Sequence, residues 1–82
     1  MEYYFSRHAK RRAKLYNLDL DDIVEILGSL NLKDFENYKQ NEIIDTRFSE
    51  KYGYPLKIIF QIEEMKIIII TNYPLKRKLY EN

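Results

Sequence analysis

Residues 5–27 read FSRHAKRRAKLYNLDLDDIVEIL, and this stretch predicts two short helices, one after the other. Ser6 is typical of a helix N-cap, because its hydroxyl can accept a hydrogen bond from a free N–H of the first turn. The first helix continues to about Tyr16, and Ala9, Ala13 and Tyr16 fall on one side of it. We expect this side to pack on a sheet, since the two alanines allow a close approach.

The second helix begins after Asp19, which we predict to be its N-cap, with Asp22 three residues later as in a capping box. Gly28 ends this helix. Its apolar face repeats at the i, i+3, i+4 and i+7 spacing of a helix and consists of Leu20, Ile23, Val24 and Leu27. Its outer face carries Asp21, Asp22 and Glu25. Acidic residues at the start of a helix are favourable there, so we interpret this face as solvated and not as a metal site.

Beyond residue 40 the pattern changes to that of β-strands. Residues 41–48 mix β-branched and polar side chains, residues 56–62 alternate between apolar and mixed positions, and residues 66–71 contain four consecutive isoleucines. With a first strand at residues 3–5, the predicted order is β-α-α-β-β-β. We expect an α+β domain in which two N-terminal helices pack on a small antiparallel sheet.

Composition bounds the class of protein. The chain has 82 residues, 45% of them apolar, which indicates a single domain over residues 1–82. It has no cysteine, which excludes a disulfide framework, a thiolate metal site and a cysteine nucleophile, and which favours a reducing cytoplasm. The longest apolar run, residues 67–70, is too short to cross a bilayer. We therefore expect a cytoplasmic protein without membrane contact and without a cofactor.

Positive charge is concentrated towards the two ends of a chain whose net charge is only +1. Residues 1–16 carry five Lys or Arg residues and one Glu, whereas residues 17–50 carry three basic and nine acidic residues. On a helical wheel, four cations of the first helix form one basic stripe, which consists of Arg7, Lys10, Arg11 and Lys14. Such a stripe is either a solvated helix face or a surface that follows a nucleic-acid backbone.

Two segments resemble the DUF4258 family. In the first, a strand leads into Ser-x-His-Ala, an Arg follows the His by four residues, and a Leu-led helix carries acidic residues. The matching positions are Ser6, His8, Ala9, Arg12 and Leu18, followed by Asp21, Asp22, Ile23 and Val24. The second segment, PLKIIFQIEEMKIIIITNYP at residues 55–74, is similar to the closing strands of the family. An Arg-Gly pair often follows the first helix in the family, and Tyr16 and Asn17 stand there instead.

The DUF4258 family is similar to the RelE/BrnT superfamily of toxins, which are the ribonuclease halves of toxin–antitoxin pairs. The resemblance implies a RelE-like fold and a toxin-type endoribonuclease, or mRNA interferase. It also implies two partners: RNA, including ribosome-bound mRNA, and an antitoxin protein that covers the basic surface.

Metal-independent RNA cleavage through attack by the 2′-hydroxyl requires a base, a cation at the phosphate and an acid for the leaving oxygen. Histidine suits the proton steps, which makes His8 the candidate proton carrier. Arg12, one turn later, can make paired hydrogen bonds to the phosphate. Tyr73 would stack on a base or donate a proton if the last strand ends near the first helix. The candidate catalytic residues are therefore His8, Arg12 and Tyr73, with no metal.

The candidate RNA-binding residues are all cations: Arg7, Lys10, Arg11, Lys14, Arg47, Lys57, Lys76 and Arg77. Lys76 and Arg77 follow Tyr73 and would join the surface of the first helix from the end of the chain. Arg47 and Lys57 would reach the same surface from neighbouring strands, although their faces are not determined by the sequence pattern.

Three functions stay open on this reasoning. The first is the toxin-type endoribonuclease, and the second is a non-catalytic RNA- or protein-binding module on the same fold. The third is a structural subunit whose basic stripe meets an acidic partner. Separately, structural roles stay open for two candidate residues: His8 would cap the helix or pack on the sheet, and Tyr73 would be an edge aromatic packed on Pro74. The isoleucine run would also allow two copies to pair their sheets as a homodimer, but an ordinary core strand is the favoured interpretation.

Overall fold

Helices cover one face of a four-stranded sheet in the computed structural model, which describes residues 1–76. In chain order the elements are β1 (Glu2–Phe5), α1 (Arg7–Leu15), α2 (Leu20–Gly28), a 3-10 turn (Leu32–Asp34), β2 (Gln40–Asp45), α3 (Ser49–Tyr52), β3 (Leu56–Glu63) and β4 (Lys66–Pro74). The predicted α+β class is confirmed, and the two N-terminal helices and four strands occur in the predicted order. The sequence pattern does not predict α3, and β2 ends at Asp45 and not at residue 48. Within the described residues, no helix combines the length and the apolar character that crossing a membrane requires.

The strand order across the sheet is β1-β4-β3-β2, and the sheet is mixed. β3 is antiparallel to both of its neighbours, whereas β1 runs parallel to β4, from Glu2 opposite Lys66 to Phe5 opposite Ile69. The prediction of an antiparallel sheet is therefore wrong for β1. The reason is that α1 and α2 together return the chain to the end of the sheet where β1 began. β2 therefore runs in the same direction as β1. β3 is antiparallel to β2, and β4 is antiparallel to β3, so β4 again has the direction of β1.

The core lies between the helices and the face of the sheet that they cover, here called the inner face. β3 contributes alternate residues to it, namely Leu56, Ile58, Phe60 and Ile62. From α1, Ala9 is 0% exposed and Ala13 is 3% exposed, so this helix lies close to the strands because only methyl groups separate the two backbones. α2 adds Ile23, Ile26 and Leu27. The alternation predicted for β3 and the alanine face predicted for α1 are both confirmed.

A β-bulge interrupts β4 and changes which side chains face the helices. The register of the β3–β4 ladder shifts between Ile59 and Phe60, because Ile70 is an extra residue in β4. Strict alternation would have placed Tyr73 on the inner face. With the bulge, Asn72 faces the helices, and Tyr73 lies on the opposite, outer face of the sheet.

Candidate functional site

Two side chains hold α1 against the end of β4. The Ser6 hydroxyl caps α1 by accepting a hydrogen bond from the Ala9 N–H at 2.9 Å, and it donates to the carbonyl of Ile70 at 2.7 Å. The fully buried Asn72 donates from its amide nitrogen to the carbonyl of Ala9 at 3.2 Å. Because β1 pairs with β4 only as far as Ile69, α1 lies beside the part of β4 that extends beyond β1.

The basic stripe of α1 faces solvent along its whole length, as predicted; its members are Arg7, Lys10, Arg11 and Lys14. The ion pairs formed within residues 1–76 do not involve any of these four cations. Four neighbouring positive charges therefore stand on one exposed helix face, available to an anionic partner.

A cleft of about 460 Å³ lies on the flank of α1 beside the stripe. The described residues that line it are His8, Arg11, Arg12, Lys14 and Leu15. The imidazole of His8 is exposed and not packed on the sheet, so the alternative of a structural histidine on the sheet is wrong. Leu15 is 70% exposed and is the apolar residue of this lining.

The predicted pair of Arg12 and Tyr73 is in contact. The guanidinium carbon of Arg12 lies 5.1 Å from the centre of the Tyr73 ring, a cation–π arrangement. Lys57 is the cross-strand neighbour of Tyr73 on the outer face of the sheet, and its Nζ lies 3.4 Å from a carboxylate oxygen of Glu42. His8, Arg12, Tyr73 and Lys57 thus occupy one continuous region, which begins on α1 and passes onto the sheet.

Lys76, which follows β4, contacts two tyrosines: Tyr16 at the end of α1 and Tyr54 before β3. Its Nζ is 5.6 Å from the ring centre of Tyr16 and 5.5 Å from that of Tyr54. The sequence pattern predicts Tyr16 on the buried face of the helix and does not place Tyr54 among the site residues. The signal that could have located Tyr54 is the glycine turn before β3, which brings residue 54 beside the end of a strand that pairs with β3.

One predicted RNA-binding residue, Arg47, is not part of this region. Arg47 lies at the end of β2, where its Nε is 3.3 Å from Asp45 and its Nη2 donates to the Ser29 hydroxyl at 2.7 Å. This edge of the sheet is two strands, or about 10 Å, away from β4. Arg77 lies outside the described residues.

A separate polar network joins α2 to α3 and corrects the prediction that Asp22 is solvated. Asp22 is buried, and one of its oxygens accepts hydrogen bonds from Lys51 Nζ at 2.7 Å and from the Tyr52 hydroxyl at 2.6 Å. The same hydroxyl accepts from the backbone N–H of Asp19 at 3.0 Å. Asp22 therefore reaches α3 and does not return to its own helix cap, where the Asp19 carboxylate accepts from the N–H of Asp21.

The network changes the ionisation of its members. Burial by itself raises the pKa of Asp22, but the hydrogen bonds from Lys51 and Tyr52, together with the Lys51 charge, outweigh burial and hold this pKa below its ordinary value. The hydrogen bond to Asp22 raises the pKa of Lys51. Burial and the hydrogen bond to Asp22 raise the pKa of Tyr52. Among residues 1–76, no three acidic or histidine side chains are grouped so that they could hold a metal ion.

Comparison of the chain with protein-family models, curated proteins and solved structures gave no match, so its own residues are the basis for assigning a function. The likeness to the DUF4258 family and the RelE-like arrangement stay predictions.

Proposed function

We propose that this protein binds single-stranded RNA along α1 and the end of β4 and cleaves it, as a toxin-type endoribonuclease of RelE-like fold. The observation that supports this best is the cation–π contact of Arg12 with Tyr73 in a region that also contains the exposed His8. It combines a phosphate-binding cation, an aromatic ring and the only histidine of the chain. Single-stranded nucleic acid is bound by such a combination of positive charge and aromatic rings.

The proposed reaction needs only groups of this region. The imidazole of His8 takes the proton of a ribose 2′-hydroxyl, whose oxygen forms a bond to the adjacent phosphorus. The guanidinium of Arg12 donates hydrogen bonds to the phosphate oxygens as negative charge develops on them. The bond between phosphorus and the 5′-oxygen breaks, and the hydroxyl of Tyr73 supplies a proton to this oxygen. The products are a 2′,3′-cyclic phosphate and a 5′-hydroxyl end.

The path of the RNA on either side of the scissile phosphate follows the remaining cations. The basic stripe lies on one side, where it contacts phosphates without reading the sequence of bases. Lys57 lies on the other side, across the ladder from Tyr73. Activity on cellular mRNA is consistent with the cytoplasmic location that the lack of cysteine favours.

An antitoxin would act by covering the same surface. Leu15 is 70% exposed and lines the cleft together with cations, so the surface is complementary to an amphipathic segment that presents acidic side chains around an apolar one. We propose this chemistry for the inhibitory partner.

The second candidate function is RNA binding without cleavage. Within residues 1–76, His8 makes no hydrogen bond to a side chain that would orient its ring, whereas catalytic bases are commonly oriented by a third group. A pure binding module would need the cations and the ring of Tyr73 but not the imidazole.

Cleavage of labelled single-stranded RNA by purified protein, with a metal chelator present, tests the proposal. We expect His8→Ala to slow cleavage by about 10²- to 10⁴-fold without loss of thermal stability, because the imidazole is exposed and serves proton transfer. Arg12→Lys keeps the charge but loses the planar fork, and it should also slow cleavage. Lys33→Gln, which removes a cation from the 3-10 turn, is the matched control.

Two results decide between the candidates. If the wild-type protein leaves free and ribosome-bound RNA intact and does not arrest growth when produced alone, the nuclease proposal is wrong. If RNA stays intact but binds with an affinity that falls steeply with salt, and His8→Ala binds as tightly as the wild type, the non-catalytic module is correct.

A further inference from the structure

The contacts of Lys76 with two tyrosines carry an inference beyond the proposed cleavage site, although the inference depends on RNA being the ligand. The ammonium group contacts two rings that are distant in sequence, Tyr16 after α1 and Tyr54 before β3. No carboxylate pairs with Lys76 among the described residues. Within residues 1–76, aromatic rings are the groups that contact this ammonium, and its charge is not neutralised by an ion pair with a described residue.

The two tyrosines differ in how they pack against the rest of the protein. Tyr16 packs against the hydrophobic core and is explained by that packing. Tyr54 is half-buried, but it does not belong to the residues that pack on the core within the described part of the chain. Core packing thus explains the position of Tyr16 but not that of Tyr54, which is a surface aromatic beside the cation Lys76. Lys76, Tyr16 and Tyr54 are here called the cluster.

The cluster is adjacent to the Arg12–Tyr73 pair on both of the elements that form that pair. Tyr16 is the C-cap residue of α1, and its backbone N–H donates to the carbonyl of Arg12 at 3.0 Å, so the two residues are neighbours at the end of the helix. Lys76 follows Tyr73 by three residues, and the backbone N–H of the intervening Leu75 donates to the carbonyl of Pro55 at 2.8 Å. This bond keeps the chain beyond β4 beside residue 54.

We propose that Lys76 and Tyr54 form a second nucleotide-binding position, next to the one at Arg12 and Tyr73. The ammonium of Lys76 contacts a backbone phosphate, and the ring of Tyr54 stacks on the base of the same nucleotide. The ring of Tyr16 contacts the ammonium group and helps to hold it in position. The ligand class is a single-stranded RNA of more than two nucleotides, and base identity contributes little, because every base presents a face for stacking.

Equilibrium binding of fluorescently labelled RNA oligonucleotides two and six nucleotides long, with 2′-O-methyl groups that prevent cleavage, tests this position. We expect Tyr54→Ala to weaken binding of the six-nucleotide RNA about 5- to 150-fold, the range that corresponds to one lost stacked base. Binding of the dinucleotide should not change. Tyr54→Phe retains the ring and should bind like the wild type.

Lys76→Gln gives an independent measurement, because it removes one exposed charge and leaves the aromatic rings in place. The slope of log K against log salt for the six-nucleotide RNA should become shallower by about 0.7, the value for one phosphate contact on a single strand. The matched controls are Tyr38→Ala, which removes a ring that is 58% exposed at the other end of the sheet, and Lys33→Gln. Neither control should change affinity or salt slope.

The outcomes separate the two proposals. If the wild type binds the six-nucleotide RNA and both Tyr54→Ala and Lys76→Gln bind it unchanged, the second position is refuted while RNA binding stands. An equal loss on the dinucleotide and the six-nucleotide RNA also refutes it, because the residues then act at the first position. If the wild type binds neither RNA, the proposed function fails, and the second position fails with it. Thermal melting of each variant verifies the fold.

Discussion

Replacing Tyr52 by Phe removes the hydroxyl through which α3 is hydrogen-bonded to α2 and to the N-cap residue of α2. The hydroxyl donates to the buried carboxylate of Asp22 at 2.6 Å and accepts from the N–H of Asp19 at 3.0 Å. The ring itself, which packs edge-to-face on Phe48, is retained in the variant. Any loss of stability therefore reports the two hydrogen bonds and not a cavity.

The expected loss in the free energy of unfolding follows from the types of the two hydrogen bonds. A hydrogen bond to a charged group contributes about 1.5–3 kcal/mol, and one between neutral groups contributes about 0.5–1.5 kcal/mol. Tyr52 is only half-buried, and the Asp19 N–H can turn to water, so we take the lower ends of these ranges and expect a loss of about 2 kcal/mol in the free energy of unfolding. For a domain of this size that loss corresponds to a decrease in Tm of about 8–16 °C.

The loss should depend on pH in a defined direction. The pKa of Asp22 is lowered from its ordinary value of 3.8, so the carboxylate stabilises the folded protein above this pH and ceases to do so as the pH falls through the folded-state pKa. The pKa of Tyr52 is raised from 10.0, so the phenol contributes below that pH and its contribution disappears as the pH rises through the folded-state pKa. The difference between wild type and variant is therefore largest from about pH 5 to pH 9 and smaller on both sides.

Urea unfolding at pH 3, 7 and 10.5 measures this difference, with Tyr38→Phe as a control in which the lost hydroxyl belongs to an exposed side chain. Tyr38→Phe should leave the urea midpoint unchanged. If Tyr52→Phe also stays within about 0.5 kcal/mol of the wild type at pH 7, which is the usual range for surface substitutions, the network does not stabilise the fold. A loss that does not decrease as the pH falls through the folded-state pKa of Asp22 would show that its carboxylate is not the acceptor that matters.

Two further predictions concern the anchoring of α1. Ser6→Ala should lower the free energy of unfolding by about 0.5–2 kcal/mol, since the helix cap to Ala9 and the bond to the Ile70 carbonyl are both lost; an unchanged urea midpoint would contradict this. Asn72→Val should leave the protein as stable or more stable, because it removes a fully buried amide oxygen that has no hydrogen-bond partner among residues 1–76. A decrease of more than about 5 °C in Tm, or about 1 kcal/mol, would instead show that the bond from Asn72 to Ala9 dominates.

The parts of the fold that the sequence predicts are those decided within one helix or strand. The cap at Ser6, the alanine face of α1, the basic stripe and the alternation in β3 each depend on residues a few positions apart. Periodicity is a local property, so it predicts which face of an element is buried without knowledge of its neighbours.

The parts that the sequence does not predict depend on partners far along the chain. Nothing near Ile70 indicates an extra residue in β4, because the bulge exists only relative to β3, and it reverses the faces of Asn72 and Tyr73. The parallel pairing of β1 follows from the combined path of α1 and α2. Asp22 has the spacing of a capping-box residue, but the hydroxyl of Tyr52, thirty residues later, provides a competing partner that no local pattern contains.

The position of β4 has a consequence for how the molecule is made. β4 is the last strand in chain order, yet it lies between β1 and β3, and its far half supports α1. During translation α1 consequently leaves the ribosome long before β4, the strand on which it docks. Until β4 emerges, the cations of α1 belong to a helix that has no docking partner. The contact between Arg12 and Tyr73 forms only after the ribosome has released residue 73, so a chain that stops before this residue lacks the contact.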